Sequence, residues 1–171
     1  VGNPPFLGGQ KIRKELGLAY MGRLQTETGF DGIVDIVCYW FRRAHDRLRV
    51  GGRAGLVGTS AIRVGDARKA SLDYIVSQGA TITNAVSSRL WPGEAALHVS
   101  MVNWVKGPAE GPYLLTVDDQ VFSMERIAPH LQLHADVSIA RAIEKNRSGT
   151  TMGIIFGSDA FVSTSDGFLT R

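Results

Sequence analysis

The sequence predicts an α/β fold in which only half of a layered sheet is spelled out. Three observations predict it. A short apolar run bounded by turn residues, Ala54-Gly55-Leu56-Val57-Gly58, reads as a buried strand. Helical stripes lie on both sides of that run, one strong and one weaker. Finally, the segments 80–91 and 95–105 alternate around a Trp-Pro-Gly turn, which predicts an antiparallel hairpin. Strands interleaved with helices make a layered sheet.

The chain opens on Val1-Gly2-Asn3-Pro4-Pro5-Phe6. An Asn side-chain carbonyl and a proline backbone carbonyl are two acceptors close together, and an aromatic ring follows at once. That set suits the holding of a planar amino group by its two N–H donors while the ring behind it is stacked. A Pro-Pro turn also serves simply as a rigid corner. Leu7-Gly8-Gly9-Gln10 then gives a flexible stretch before the basic cluster Lys11, Arg13 and Lys14. That cluster is either a solvated helix face or a set of contacts to DNA phosphates. Leu16, Tyr20 and Leu24 recur at helical spacing and predict a helix from about Glu15 to Thr26.

The clearest helix comes next. Asp31 or Asp35 caps it, and Val34, Val37, Cys38, Phe41, Ala44 and Leu48 form its apolar stripe. Arg42, Arg43, Asp46, Arg47 and Arg49 are expected on the opposite face, with cations massed where the helix dipole favours them. Tyr39 and Trp40 are read as packing residues, and Gly51-Gly52 ends the helix. Cys38, on the stripe, is read as a small core residue rather than a reactive thiol. After the strand at 54–58 a helix is expected from about Asp66 to Val76, closed by Gly79. In the last strand Leu97, Val99, Met101 and Asn103 face one side, and His98, Ser100, Val102 and Trp104 the other.

Pro108, Gly111 and Pro112 break the pattern, so the expected domains are 1–107 and a connector, 108–171. Within the connector Tyr113 to Val117 and Asp119 to Ser123 suggest a small hairpin, and Val137 to Lys145 a short helix. Met152 to Phe156 and Ala160 to Val162 are further apolar segments. His98, His130 and His134 lack metal-ligand spacing, and no metal site is assigned.

Composition bounds the rest. At 171 residues, 44% hydrophobic and 20% charged, the chain has the size and make-up of one globular domain. A net charge of +3 and a pI near 9.2 are compatible with a nucleic-acid partner without demanding one. One cysteine excludes an internal disulfide framework and fits a reducing cytoplasm. No apolar run approaches the roughly 20 residues that span a bilayer, so no membrane role is expected. The site turn has no strand before it and the chain has no initiator Met, so the expectation is a cytoplasmic piece of a longer enzyme.

Four stretches, in order, resemble one family. They are Val-Gly-Asn-Pro-Pro-Phe-Leu-Gly-Gly at 1–9, Val-Asp-Ile-Val-Cys-Tyr-Trp-Phe at 34–41, Ala-Gly-Leu-Val-Gly-Thr-Ser at 54–60, and Ala-Leu-His-Val-Ser-Met-Val-Asn-Trp-Val-Lys at 96–106. Together they resemble the N6-adenine class of S-adenosylmethionine-dependent DNA methyltransferases. Within it they are most similar to the methyltransferase region of large single-chain restriction–modification proteins of the MmeI family. The resemblance implies the C-terminal half of a Rossmann-like methyltransferase sheet. The connector would lead towards a target-recognition domain.

It also implies a mechanism. An adenine is flipped from duplex DNA, at a cost of a few kcal/mol. Asn3 and the Pro4 carbonyl accept from its N6 amino group, Pro5 stiffens the turn, and Phe6 stacks on the base. Trp104 has two readings, a second base-gripping ring by family position or a core aromatic at a strand end. The family's main cofactor pocket, a glycine-rich loop and an acidic residue, precedes the catalytic turn, so it would lie upstream of Val1. The expectations are weak or no cofactor binding, inactivity of the fragment alone, and self-association through an exposed sheet edge. The remainder of the parent polypeptide is the expected partner. Two rival readings remain: a methyltransferase using the same turn on RNA or protein, and a non-catalytic DNA-binding or scaffolding segment of a restriction assembly.

Overall fold

The structure, a computed structural model, describes residues 1–92 and 97–133, all inside one compact unit that runs from Val1 to Asp136. The expected segments at 137–145, 152–156 and 160–162 lie outside the described residues. From the opening turn the chain enters α1 (Gly9–Lys11), which runs directly into a π-helical turn at Ile12–Leu16. Gly17, at φ 84°, separates that turn from α2 (Leu18–Thr28). The helix expected from about Glu15 therefore starts later, because Gly17 takes a left-handed backbone that breaks it from Leu16.

α3 (Ile36–Arg47) is capped by Asp35, whose carboxylate accepts from the Val37 N–H. Its stripe packs as expected: Val37, Cys38 and Phe41 are fully buried. Two residues depart from the expected faces. Arg42 is only 7% exposed, whereas Trp40 is 43% exposed. Arg42 is drawn inward because it meets partners from two other elements. Its Nε donates to the Ala70 carbonyl at 2.7 Å, another guanidinium N–H donates to the Thr28 carbonyl, and its Cζ lies 3.9 Å from the Tyr74 ring centroid.

β1 (Arg53–Thr59) follows, then a 3₁₀ turn (Ser60–Arg63) and a helical crossover. The crossover, expected as one helix, is α4 (Gly65–Arg68), a π-helical turn (Lys69–Asp73) and α5 (Tyr74–Ser77). The irregularity coincides with Ala70, whose carbonyl is taken by the Arg42 side chain from the neighbouring helix. β2 (Ala80–Leu90) and β3 (His98–Lys106) form the expected antiparallel hairpin. β4 (Tyr113–Val117) and β5 (Gln120–Met124) form a second one. Asp118 and Asp119 turn it with φ of 47° and 61°, the left-handed pair that a tight two-residue hairpin needs.

The sheet order is β1-β3-β2-β4-β5. β3 is antiparallel to both β1 and β2, so the two strands joined by the helical crossover run the same way with β3 between them. β4 pairs with β2 in parallel, so the first described part of the expected connector shares this sheet. Central position explains why β3 is buried on both faces, with Val99 and Ser100 each at 0% exposure. α3 lies close on the sheet: a β-carbon at Gly58 would stand 3.1 Å from Ile62 and 3.2 Å from Phe41. The far end of α3 is tied to the sheet by Lys106, whose Nζ donates to the carbonyls of His45 and Asp46. Among the described residues no helix is long and apolar enough to cross a membrane.

Candidate active site

The turn at Asn3-Pro4-Pro5-Phe6 is suspended between two anchors. On its N-terminal side Gly2 forms an isolated parallel bridge with Leu56 of β1. The Gly2 N–H donates to the Gly55 carbonyl at 2.9 Å, and the Gly2 carbonyl accepts from the Val57 N–H at 3.1 Å. On its C-terminal side Leu7 docks on the start of α3. The Leu7 carbonyl accepts from the Ile36 N–H at 2.9 Å, and the Leu7 N–H donates to Asp35 Oδ1 at 3.2 Å. Gly9 packs just beyond, where a β-carbon would lie 2.8 Å from the Val34 carbonyl oxygen. Only glycine allows that approach.

Between these anchors the side chains divide their tasks. Asn3 is exposed, and no described residue hydrogen-bonds to its side chain. Its amide oxygen is therefore an acceptor with free capacity. Pro4 is half-buried and Pro5 exposed; neither has an N–H to donate, so the turn offers carbonyls without competing donors. Phe6 is half-buried and packs on the core cluster, which fixes its ring.

Asn3, Pro4 and Pro5 line a cavity of about 520 Å³ together with Trp40, Arg43 and Arg47 of α3 and Arg53 of β1. Pro5, Trp40, Arg43 and Arg47 also border a second cavity of about 520 Å³, to which α2 contributes Tyr20, Leu24 and Glu27. None of these three arginines has a carboxylate within ion-pair distance among the described residues. Sequence reading missed this grouping. Arg43 and Arg47 were legible as the polar face of α3, but Arg53 joins them only through the sheet.

The remaining site candidates are not brought to the turn in the same way. Trp104 is 1% exposed and stacks on Phe41, centroids 5.5 Å apart and planes 23° from parallel. Its position is that of a core aromatic, one of the two readings the sequence left open. Phe41 of α3 covers one face of the ring. Lys11, Arg13 and Lys14 are exposed just beyond Gly9, without ion-pair partners among the described residues. Cys38 is fully buried, and desolvation, aided by the nearby Asp35 charge, pushes its thiol up to about 12. Such a thiol is no nucleophile near neutral pH.

Comparison with known proteins bears on the family and the fold. The family described as "MmeI, DNA-methyltransferase domain" matches residues 1–109. The chain belongs to that family. Among solved structures, the type IIL restriction-modification enzyme MmeI in complex with DNA superposes with a TM-score of 0.65 at 20% identity. That match covers 80% of this chain and 20% of the other, so this MmeI-family chain spans about a fifth of the length of the enzyme it matches. At that identity the likeness establishes the fold, a portion of a Rossmann-like methyltransferase sheet. No match is found among the curated proteins. Residues 1–109 are thus part of an MmeI-type DNA-methyltransferase domain.

Proposed function

We propose that this MmeI-family region presents the N6 amino group of an adenine, swung out of duplex DNA, for methylation by S-adenosylmethionine. One observation carries the reading: an exposed, unengaged Asn3 amide stands on a turn tied at one end to the sheet and at the other to α3. Acceptors carried on a backbone that is anchored before substrate arrives suit orientation catalysis. The Asn3 side-chain oxygen and the Pro4 carbonyl accept the two amino hydrogens. This draws the nitrogen lone pair out of conjugation with the ring and gives it a direction. Phe6 stacks on the displaced base and offsets part of the lost stacking, a contact worth roughly 1–3 kcal/mol. Neither a strong base nor a covalent nucleophile is involved, in keeping with the buried Cys38.

When bound, the cofactor supplies an electrophilic methyl group. The residues described here do not by themselves fit it. The cavity beside Asn3 is lined by Arg43, Arg47 and Arg53 and by no carboxylate, and in the adjoining cavity Glu27 and Asp46 stand with Arg43 and Arg47, a mixed lining that singles out no seat for a sulfonium cation. The reading therefore assigns cofactor binding to the rest of a longer cytoplasmic polypeptide. Residues 108–171 would link this region to target recognition, and Lys11, Arg13 and Lys14 would touch DNA phosphates.

The test is Asn3→Ala in the intact polypeptide, with transfer of labelled methyl groups to duplex DNA as readout. The expected loss is roughly 10²- to 10³-fold in kcat, the size associated with deleting one preorganised hydrogen-bonding group. Unchanged methylation would instead support a scaffolding role. Methyl transfer to RNA or protein but not to duplex DNA would move the reading to another substrate class.

A further inference from the structure

We infer that Asp35 is a positioning residue for the Asn3–Phe6 turn, acting through Leu7, and not only the cap of α3. This rests on the function proposed for that turn. Asp35 Oδ1 accepts two hydrogen bonds at once: from the Val37 N–H at 3.0 Å, which is the helix cap, and from the Leu7 N–H at 3.2 Å, 28 residues away in sequence. A cap needs only the first. The second clamps the residue directly after Phe6.

The surrounding contacts make that clamp effective. The Ile36 N–H also donates to the Leu7 carbonyl, so both polar groups of Leu7 are held by consecutive residues, 35 and 36. Gly9 closes against Val34 with no room for a side chain. The return limb of the turn is thereby registered on the segment 34–36 by three consecutive residues. Gly2 fixes the other limb to β1. Of the hydrogen-bonding groups at these two anchors only Asp35 contributes a side chain, so a substitution there can remove its bond directly.

Substitutions can separate the two roles. Asp35→Asn keeps an oxygen of the same reach and caps well. Asp35→Ser also caps a helix well, but its shorter side chain does not reach Leu7. In the intact polypeptide Asp35→Asn is expected to keep wild-type methyl transfer. Asp35→Ser is expected to lower kcat by roughly 10- to 100-fold, the loss associated with a displacement of about 1 Å at reacting groups. KM for duplex DNA should stay within about twofold in both, since the phosphate contacts are untouched. Thermal melting checks that Asp35→Ser is folded.

Hydrogen exchange gives a second readout independent of catalysis. The Leu7 amide should be protected in the wild type and in Asp35→Asn and exposed in Asp35→Ser. A wild-type kcat in folded Asp35→Ser, or an unprotected Leu7 amide in the wild type, overturns the inference. Asn3→Ala is assayed alongside. If it too retains activity, the proposed function fails; if it alone is inactive, only the role of Asp35 fails.

Discussion

His45 shows how a single side chain carries the cost of the helix–sheet contact. It lies at 1% exposure on the inner side of α3, with Nε2 3.2 Å from the Gln78 carbonyl and Nδ1 without a partner among the described residues. Burial lowers its pKa from the ordinary 6.5, and the Gln78 carbonyl offsets this only in part. Because the folded state resists the proton and the unfolded chain does not, this contribution is complete above the unfolded value. It is lost as pH falls below about 6.5 towards the folded pKa. Urea unfolding of the chain at pH 7.5 and 5.5 should show that loss, and His45→Gln should flatten the difference. The spacing of His45 from Cys38 and Phe41 puts it on the edge of the apolar stripe, but its polar ring and the neighbouring Asp46 kept it off the expected core. Asn3, by contrast, was legible because its chemistry is contained in four consecutive residues.

At the scale of elements, periodicity predicted what local spacing controls and missed what distant partners control. The stripe of α3, the hairpin of β2 and β3 and the Asp118-Asp119 turn follow from spacing and turn chemistry alone. Arg42 does not: its partners lie 28 and 14 residues away, so a helical wheel puts it outside. Trp104 is a similar case, since alternation gives its face of β3 but not the Phe41 ring that covers it. As a core aromatic, Trp104→Ala should cost about 3–5 kcal/mol in urea unfolding. Trp104→Phe should cost less than Trp104→Ala, because it leaves the smaller cavity. The indole N–H has no partner among the described residues, so phenylalanine gives up no hydrogen bond there. A Trp104→Ala chain as stable as the wild type would return the ring to the base-gripping role.

For the whole molecule the mild positive charge acquires a location. Lys11, Arg13 and Lys14 follow the turn within a single helical stretch, beside the site they would serve. If they neutralise phosphates, replacing them by Gln should weaken DNA binding by the intact polypeptide in a salt-dependent way. The slope of log K against log salt should fall by about 0.9 for each phosphate no longer neutralised. An unchanged slope would leave them as a solvated helix face. Sheet order was beyond sequence reading: β3 lies between β1 and β2 because of non-local pairing, and β4 continues the sheet past the Pro-rich break.

The two anchors of the turn stand on different bodies. Gly2 is footed on the sheet and Leu7 on the helix. The turn is thus a span between two abutments, one on β1 and one at the start of α3. A shift of helix against sheet would therefore act on both limbs of the turn at once. A side chain added at Gly58, where Phe41 of α3 and Ile62 both lie within 3.2 Å of the site of a β-carbon, would press on that helix–sheet contact without touching the clamp itself.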